Sequence, residues 1–432
     1  MKHSWTTYFY RFYLLALFLL LLPVMRNRVE PSLRGVIWSD AEGYYVYLPG
    51  VFNLPSVHAI PEGSMAPIRN DKGEMVVKYT CGVAMFQLPF FLAARAYCDA
   101  RGIDRADIYN IHYARAVALA GYMAAFLGLF FLQKILRRWF SEPVVLLTLI
   151  SILGGTNLFY YATKEMGMSH AYSFCLFAFL AWQMPRFLER PSWTNAALLG
   201  GALGWTVLIR PTNVLVLVFL LGYEIYSWRQ LGERLRFLGR HLPQLAVAAA
   251  AAALFFLPQM WYWHEMTGHW IRYSYTDEGF PYWNKPKIAE VLFDPQNGLF
   301  LYSPIVLLAV AGLIPAWRQK RLSAPAIAVV FVLGTYIFAS WWAWWFGGAF
   351  GHRSYVELYA LLALPMALCI EGLLRIRRPA LRGVAISLLL FLVYYGVQMS
   401  FLYTRLPRPW DGPDWRWNWD KIVWVWSHLF EF

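Results

Sequence analysis

Apolar runs about as long as a membrane-spanning helix recur from one end of this chain to the other. An α-helix rises 1.5 Å per residue, so about 20 apolar residues cross the hydrocarbon core of a bilayer. Eleven runs qualify or come close: 8–25, 113–134, 143–162, 168–185, 194–209, 211–227, 244–264, 299–316, 324–342, 355–374 and 381–403. The pattern therefore predicts an all-α polytopic membrane protein with about 11 transmembrane helices.

The segment 193–227 is nearly all apolar but is interrupted by the letters IRPTN. At about 50 Å of helix it is too long for one crossing and short for two. We predict two short helices that meet at Arg210 and Pro211. Broken helices in a membrane normally border a cavity, because their free backbone groups need partners.

The composition supports the membrane assignment. Of the 432 residues, 59% are hydrophobic and only 15% are charged, against about 25% charged in soluble domains. The net charge of +13 comes from Lys and Arg in short loops between alternate apolar runs, which is typical of the cytoplasmic side of a membrane. No nucleic-acid-binding motif accompanies these charges, so nucleic acid is not an expected partner.

This charge distribution places the N-terminus in the cytoplasm and, with an odd number of spans, the C-terminus outside. We treat residues 1–432 as a single transmembrane domain. Its first extracytoplasmic loop, 26–112, is long, and a short extracytoplasmic tail follows at 404–432. The stretch 78–97 within the first loop is predicted to form a helix lying in the membrane interface.

Two carboxylates, Asp40 and Glu42, stand in the first loop among aromatic residues and just before a glycine. A loop acid is most often only solvated. Here the aromatics would hold the loop against the membrane, on the side that carries the other unusual polar groups. Both acids are therefore candidates for chemistry at the bilayer surface.

The residues of this loop resemble the GT-C superfamily of integral-membrane glycosyltransferases, which includes protein O-mannosyltransferases and the bacterial aminoarabinose transferases of lipid A. Asp40 and Tyr44 match a D-x-x-x-Y arrangement after the first span, and Lys78 opens the apolar stretch KYTCGVAMFQLPF. RPT (210–212), NGLFLYSP (297–304) and GHRSY (351–355) are also similar to bacterial members.

Two features depart from the family pattern. Ala41 separates the usual adjacent Asp-Glu pair, and Tyr79 and Thr80 stand where the aminoarabinose transferases have two prolines. The likeness therefore covers most of the chain in topology but is local in motif.

The resemblance implies transfer of a sugar from a polyprenyl-phosphate donor, with inversion, to a lipid-linked or cell-surface acceptor. The phosphate is already a good leaving group, so the reaction needs a base for the acceptor hydroxyl and cations for the departing phosphate. Asp40 is the expected base, with Glu42 as the second catalytic carboxylate. Expected substrate-binding residues are Lys78, Arg210, Arg353, His352, Glu165, His170 and Tyr44.

Several of these side chains have an ordinary structural interpretation. Lys78 can extend its amine from an interfacial helix to water, Arg210 can cap a broken helix, and His352 can be a hydrogen-bonded structural residue. Glu165 and His170 lie in the second outer turn, where polar residues commonly end helices. Asp294 is read as a turn residue.

No cofactor follows from the sequence, although the carboxylates permit a divalent metal, and no metal site is assigned. The expected partners are the lipid-linked donor, the acceptor and membrane lipids, in a bacterial inner membrane. A transporter or flippase of lipid-linked sugars is an alternative, which predicts ionisable residues in several spans and inverted repeats. A polysaccharide polymerase or ligase is another, which predicts a large late outer loop.

Overall fold

The structure is a computed structural model of the chain. It describes residues 5–29, 36–55, 59, 67–69, 75–275, 278–405 and 416–431. Parts of the first loop and of the C-terminal tail lie outside these ranges.

The described residues form helices almost throughout. The α-helices are α1 Trp5–Val29, α2 Ser39–Tyr45, α3 Tyr47–Phe52, α4 Gly82–Arg101, α5 Ile111–Leu136, α6 Glu142–Gly155, α7 Leu158–Thr163, α8 His170–Glu189, α9 Trp193–Ile209, α10 Val216–Leu221, α11 Trp228–Arg240, α12 Leu242–Thr267, α13 Ile288–Phe293, α14 Leu299–Tyr302, α15 Val306–Arg318, α16 Ala324–Ser340, α17 Tyr359–Leu374, α18 Pro379–Arg405 and α19 Trp419–Ser427. Two 3-10 helices cover Pro211–Leu215 and Arg353–Tyr355.

A two-stranded antiparallel hairpin in the first loop departs from the all-α prediction. It pairs β1 (Pro67–Arg69) with β2 (Met75–Val77), with Ile68 opposite Val76. The hairpin directly precedes Lys78, so it sets the start of the segment that leads into α4.

Each of the eleven apolar runs contains helix. Four helices in the described chain are long and apolar enough to cross a membrane, namely α1 from Phe12, α5, α12 and α18, and six apolar helices are shorter. Several predicted spans are interrupted. The run 143–162 breaks after Gly155, and 299–316 breaks between α14 and α15. The number of crossings stays a prediction.

Three further predictions concern where helices begin and end. The predicted break at Arg210 is confirmed, because α9 ends at Ile209 and Arg210 has extended backbone angles (φ −151°, ψ 125°). The charge pattern predicts a loop after Ser227, and this prediction is wrong, because the segment forms the helix α11. The stretch 78–97 is helical from Gly82 onward, as predicted.

The chain folds as two compact units. The first comprises Met1–Phe130, Tyr161–Val214 and His241–Asp277. Within it α9 packs along α12 at backbone distance. A Cβ atom on Gly200 would lie 2.0 Å from the Ala248 carbonyl oxygen, and one on Gly204 would lie 2.5 Å from that of Ala252. Small residues four apart on both helices allow this approach, as in other helix pairs packed in membranes.

The second unit comprises Phe131–Tyr160, Leu215–Arg240 and Glu278–Phe432. Its centre is α17, which is buried along most of its length and packs on α6 and α15. Gly312 brings α15 onto α17, since a Cβ there would lie 2.0 Å from the Pro365 carbonyl oxygen. Gly396 brings α18 against the Gly154 carbonyl of α6 in the same way.

The α9–α12 contact gives a first test of the fold. Gly200→Ala forces the two backbones apart and is expected to lower the free energy of unfolding by about 1–3 kcal/mol, as overpacking does. The shift is measurable as a fall in the thermal unfolding temperature in detergent.

The matched control is Gly383→Ala in α18, where a Cβ meets no atom within 4 Å. This change should leave stability unchanged or raise it by up to about 1 kcal/mol, because alanine favours helix. Equal effects of the two substitutions would contradict the packing described for Gly200.

Candidate functional site

Asp40 lies in the first turn of α2, and the local backbone fixes its position. Ser39 has φ 51°, in the left-handed region, and turns the chain into the helix. The Trp38 carbonyl then accepts bonds from the amides of Ala41 (3.1 Å) and Glu42 (3.3 Å). The Asp40 side chain is partly exposed, whereas residues 41–50 are buried. Asp40 is therefore the acid of this helix that reaches the surface of the unit.

Tyr79 holds the Asp40 carboxylate. Its hydroxyl donates to Asp40 Oδ1 at 2.5 Å, and its ring packs on Tyr44 with centroids 4.9 Å apart. Gly43 makes room for the ring, since a Cβ there would lie 2.2 Å from Tyr79 Cδ2. Burial, and next the nearby Asp40 charge, raise the pKa of Tyr79 well above its usual value. The phenol consequently stays protonated and donates to the carboxylate.

Glu42 has a different environment from Asp40. Its side chain is only 6% exposed, and the Tyr109 hydroxyl donates to its Oε1. The sequence grouped the two acids as catalytic. In the structure Glu42 is buried against the segment before α5, and Asp40 faces outward.

Lys78 lies beside the same tyrosine. Its amine is 5.5 Å from the ring centroid of Tyr79 and 5.1 Å from that of Tyr275, distances at which an ammonium is attracted to an aromatic face. The Ser274 hydroxyl donates to the Lys78 carbonyl at 2.6 Å. A partly exposed cation is thus positioned next to the residue that binds Asp40.

The segment after Lys78 is joined to the broken end of α9. The Thr80 hydroxyl donates to the Leu208 carbonyl, and Trp205 Nε1 donates to the Gly82 carbonyl at 2.8 Å. A Cβ on Gly82 would lie 2.6 Å from the Ile209 amide nitrogen. These contacts bring the chain at Lys78 close to the chain at Arg210.

Arg210 is oriented by His170. Arg210 Nη1 lies 3.1 Å from His170 Nδ1, and because a guanidinium only donates, Nδ1 is the acceptor. His170 is 2% exposed, and its ring lies 4.8 Å from that of Tyr161. The two residues that the sequence treated separately are therefore one pair.

The turn between α7 and α8, which carries Glu165, packs against the start of α2. A Cβ on Gly167 would lie 2.2 Å from the Val36 carbonyl oxygen and 2.7 Å from Ala41 Cβ. Glu165 itself is 6% exposed. The first unit thus gathers seven of the predicted site residues on adjoining segments: Asp40, Glu42, Tyr44, Lys78, Glu165, His170 and Arg210.

Lys164, in the same turn, ties it to α1. Its amine donates to the Arg28 carbonyl at 2.9 Å, and Arg28 Nη1 donates to Thr163 Oγ1 at 2.9 Å. Burial, and next the neighbouring Arg28 charge, lower the pKa of Lys164. The turn is therefore held on both sides, by α1 and by α2.

His352 and Arg353 belong to the second unit. His352 is 1% exposed, and its Nε2 lies 3.0 Å from the Trp344 carbonyl oxygen. Its ring packs between Phe346 and Tyr355 at 5.1 and 5.0 Å. These contacts match the structural interpretation of His352, while Arg353 is only partly buried.

Two asparagines fix the glycine-rich turn before Arg353. Asn157 Nδ2 donates to the Phe350 carbonyl at 3.2 Å, and Asn297 Nδ2 donates to the Trp345 carbonyl at 2.7 Å. Gly351 has φ 61° and lies against Tyr302, so the turn requires glycine there. Asp294 Oδ1 accepts from the Gln296 amide at 2.7 Å, which confirms it as a turn residue.

The described residues contain no group of three or more His, Cys, Asp or Glu side chains that could hold a metal ion. Sequence reasoning missed Tyr79 and Tyr109, which hold the two acids. In the sequence Tyr79 stands directly after Lys78, and no comparable signal marks Tyr109.

Comparison with known proteins identifies a fold but no family. No protein-family model and no curated protein matches the chain. Among solved structures, the archaeal oligosaccharyltransferase AglB from Archaeoglobus fulgidus, in complex with an inhibitory peptide and a dolichol-phosphate, matches with a TM-score of 0.56. The sequences are 10% identical, and the match covers 99% of this chain but 60% of that one.

The likeness in structure supports the GT-C-like fold expected from the sequence. The chain shares the fold of that neighbour over nearly its whole length, yet spans about three-fifths of it.

The Asp40–Tyr79 bond can be tested by a double-mutant cycle of Asp40→Asn and Tyr79→Phe. A hydrogen bond to a charged group contributes about 1.5–3 kcal/mol, and because Asp40 is partly exposed we expect a coupling near the lower figure. The measurement is the free energy of unfolding of the four proteins in detergent.

The control cycle combines Tyr79→Phe with Asp104→Asn. Asp104 is an exposed acid of the same loop whose carboxylate accepts from the Ala106 amide instead. That pair should be additive within about 0.5 kcal/mol. Additivity in both cycles would rule out the Asp40–Tyr79 bond.

Proposed function

We propose that the protein is a GT-C-type glycosyltransferase that moves a sugar from a polyprenyl-phosphate donor to a lipid-linked or cell-surface acceptor outside the cytoplasm. The observation that carries this proposal is the position of Asp40. Tyr79 holds this carboxylate at the surface of the unit, and Lys78 lies beside the same tyrosine. Arg210 follows the end of α9, which is bonded to the segment after Lys78.

Asp40 acts as the general base. It takes the proton of the acceptor hydroxyl while the acceptor oxygen forms a bond to the anomeric carbon. The bond from that carbon to the phosphate oxygen breaks, and its electron pair leaves with the phosphate. Attack opposite the leaving group inverts the anomeric carbon. The Asp40 charge also favours the oxocarbenium-like state through which the sugar passes.

Lys78 and Arg210 stabilise the negative charge that grows on the phosphate. Lys78 serves as a point charge, whereas Arg210 can offer two parallel N–H groups. The His170 contact orients the Arg210 guanidinium for this task. For the second unit, taken by itself, Arg353 is proposed as a phosphate-binding residue and His352 as the residue that positions its turn.

Glu42, Tyr44 and Glu165 have supporting roles in this proposal. Glu42 is buried with Tyr109 and stabilises the fold around α2, and Tyr44 packs the ring of Tyr79. Glu165 lies in the turn that underlies α2 and is assigned to the acceptor side. The dolichol-phosphate in the AglB complex supports a lipid phosphate as the donor class here.

The cell compartment is also part of the proposal. We place the protein in a bacterial inner membrane as one multi-pass domain of residues 1–432, with its N-terminus in the cytoplasm and its C-terminus outside. The placement rests on the distribution of Lys and Arg between the apolar runs.

The direct test is transfer of label by purified protein in liposomes, with a panel of radiolabelled polyprenyl-phosphate sugars and total membrane lipid as acceptor. Asp40→Asn removes the base and is expected to lower the rate by about 10²–10⁴-fold, with the unfolding temperature unchanged within a few degrees.

Asp104→Asn, which removes the same charge from an exposed position of the loop, should keep the wild-type rate. Transfer by Asp40→Asn at the wild-type rate would refute the assignment of Asp40. Failure of the wild-type protein across a panel that covers the common donor sugars would refute the proposed activity.

The cation beside Tyr79 gives a second kinetic prediction. Lys78→Met keeps most of the length of the side chain but removes the charge, so the transfer rate should fall about 10²–10³-fold, as when one stabilising donor is lost. Lys78→Arg should restore part of that rate. The control is Lys285→Met, at an exposed position, and an equal loss in both methionine variants would contradict a specific role for Lys78.

A further inference from the structure

Helix α11 is only partly covered by the rest of the chain. None of its residues from Trp228 to Arg240 is buried. Trp228 is 88% exposed and Leu235 is 60% exposed, although large apolar side chains are usually covered in a folded protein. A helix with these properties is normally covered by a partner that the isolated chain lacks.

Most residues of α11 fall on two faces, and Arg234, which donates to the Tyr223 carbonyl, lies between them with Phe237. Trp228, Leu231, Leu235 and Leu238 follow one another at intervals of three, four and three residues, which places them along one side of a helix. Arg229, Arg236 and Arg240 fall on the other side by the same geometry. This arrangement of an apolar stripe and a basic face is typical of helices that lie in the plane of a membrane surface.

The charge of α11 is strongly positive. Four arginines stand against one glutamate, a net charge of +3 over thirteen residues. That glutamate, Glu233, pairs with Arg229 at 3.0 Å. Arg236 and Arg240, one turn apart toward the end of the helix, carry the remaining charge of the basic face, so its partner should be anionic.

The position of α11 in the chain limits what the partner can be. Only His241 separates its last residue from α12, a helix long and apolar enough to cross a membrane. Leu242, at the start of α12, is 63% exposed. Two residues of chain span at most about 7 Å, so the sequence leaves little length between the end of α11 and the start of a helix that can cross a membrane.

We propose that α11 lies on the membrane surface, with its leucine and tryptophan side chains in the acyl boundary and its arginines bound to anionic phospholipid headgroups. The charge of the chain argues against a second copy as the partner, because each copy carries a net +13. Thirteen residues of helix extend about 20 Å, enough to cover several headgroups.

The full-length protein in lipid nanodiscs tests this assignment. Cysteines placed at Leu235→Cys on the apolar stripe and at Gln230→Cys away from it carry an environment-sensitive fluorophore, in a Cys369→Ser background. The other native cysteines, Cys81, Cys98 and Cys175, are buried. The readout is quenching of the fluorophore by spin-labelled acyl chains, in discs of phosphatidylcholine alone or with one-third phosphatidylglycerol.

We expect strong quenching at position 235 and weak quenching at 230 in the anionic discs, with less quenching at 235 in the neutral discs. Replacing Arg229, Arg236 and Arg240 by glutamine should remove the difference between the two lipids, because each arginine near an anionic surface contributes about five-fold to binding. Replacing Arg375, Arg377 and Arg378 removes the same charge from another segment and should leave the difference intact.

Three results would overturn the proposal. Water-like fluorescence at position 235 in both lipids would show that α11 is off the membrane. Equal quenching in neutral and anionic discs would remove the role of the headgroups. In detergent, a shift of the label at position 235 to a less water-like environment as protein concentration rises would assign the stripe to a second copy of the chain. None of these outcomes depends on the transferase activity.

Discussion

The hydrogen bond from Tyr79 to Asp40 is the contact on which the organisation of the first unit depends. It joins the short helix that follows the first span to the segment that opens α4, 39 residues later. Gly43 is required because any larger residue would displace the tyrosine ring. The same ring packs on Tyr44 and lies beside Lys78. This one hydrogen bond therefore brings Asp40 close to the packed rings of Tyr79 and Tyr44 and to Lys78.

The broken end of α9 supplies the second half of this arrangement. A helix that stops at Ile209 leaves carbonyl groups without partners in the helix, and such groups need other donors in an apolar setting. The Thr80 hydroxyl binds one of them, at Leu208. This hydrogen bond links the segment that carries Lys78 to the end of α9 before Arg210. Two cations that are far apart in the sequence therefore lie on adjoining segments.

The sequence identified what depends on local pattern and missed what depends on distant contacts. Asp40, Lys78 and Arg210 were recognisable because charged residues are costly beside apolar runs and stand out there. Tyr79 and Tyr109 were not, since a phenol among many aromatics gains its role only from a partner tens of residues away. The charges of α11 predict a loop between two spans, although its apolar residues follow a helical spacing. The breaks after Gly155 and Tyr302 fall inside continuous apolar runs.

The different burial of Asp40 and Glu42 divides their roles. A base must reach the proton that it removes, so it needs a carboxylate that a substrate can approach. Asp40 is partly exposed at the start of α2, whereas Glu42 is 6% exposed and bound by Tyr109. Neighbouring acids on one short helix point to different surroundings because residues two apart in a helix face different sides. In the proposed function, the exposure of Asp40 and the burial of Glu42 therefore support one catalytic carboxylate and one structural carboxylate.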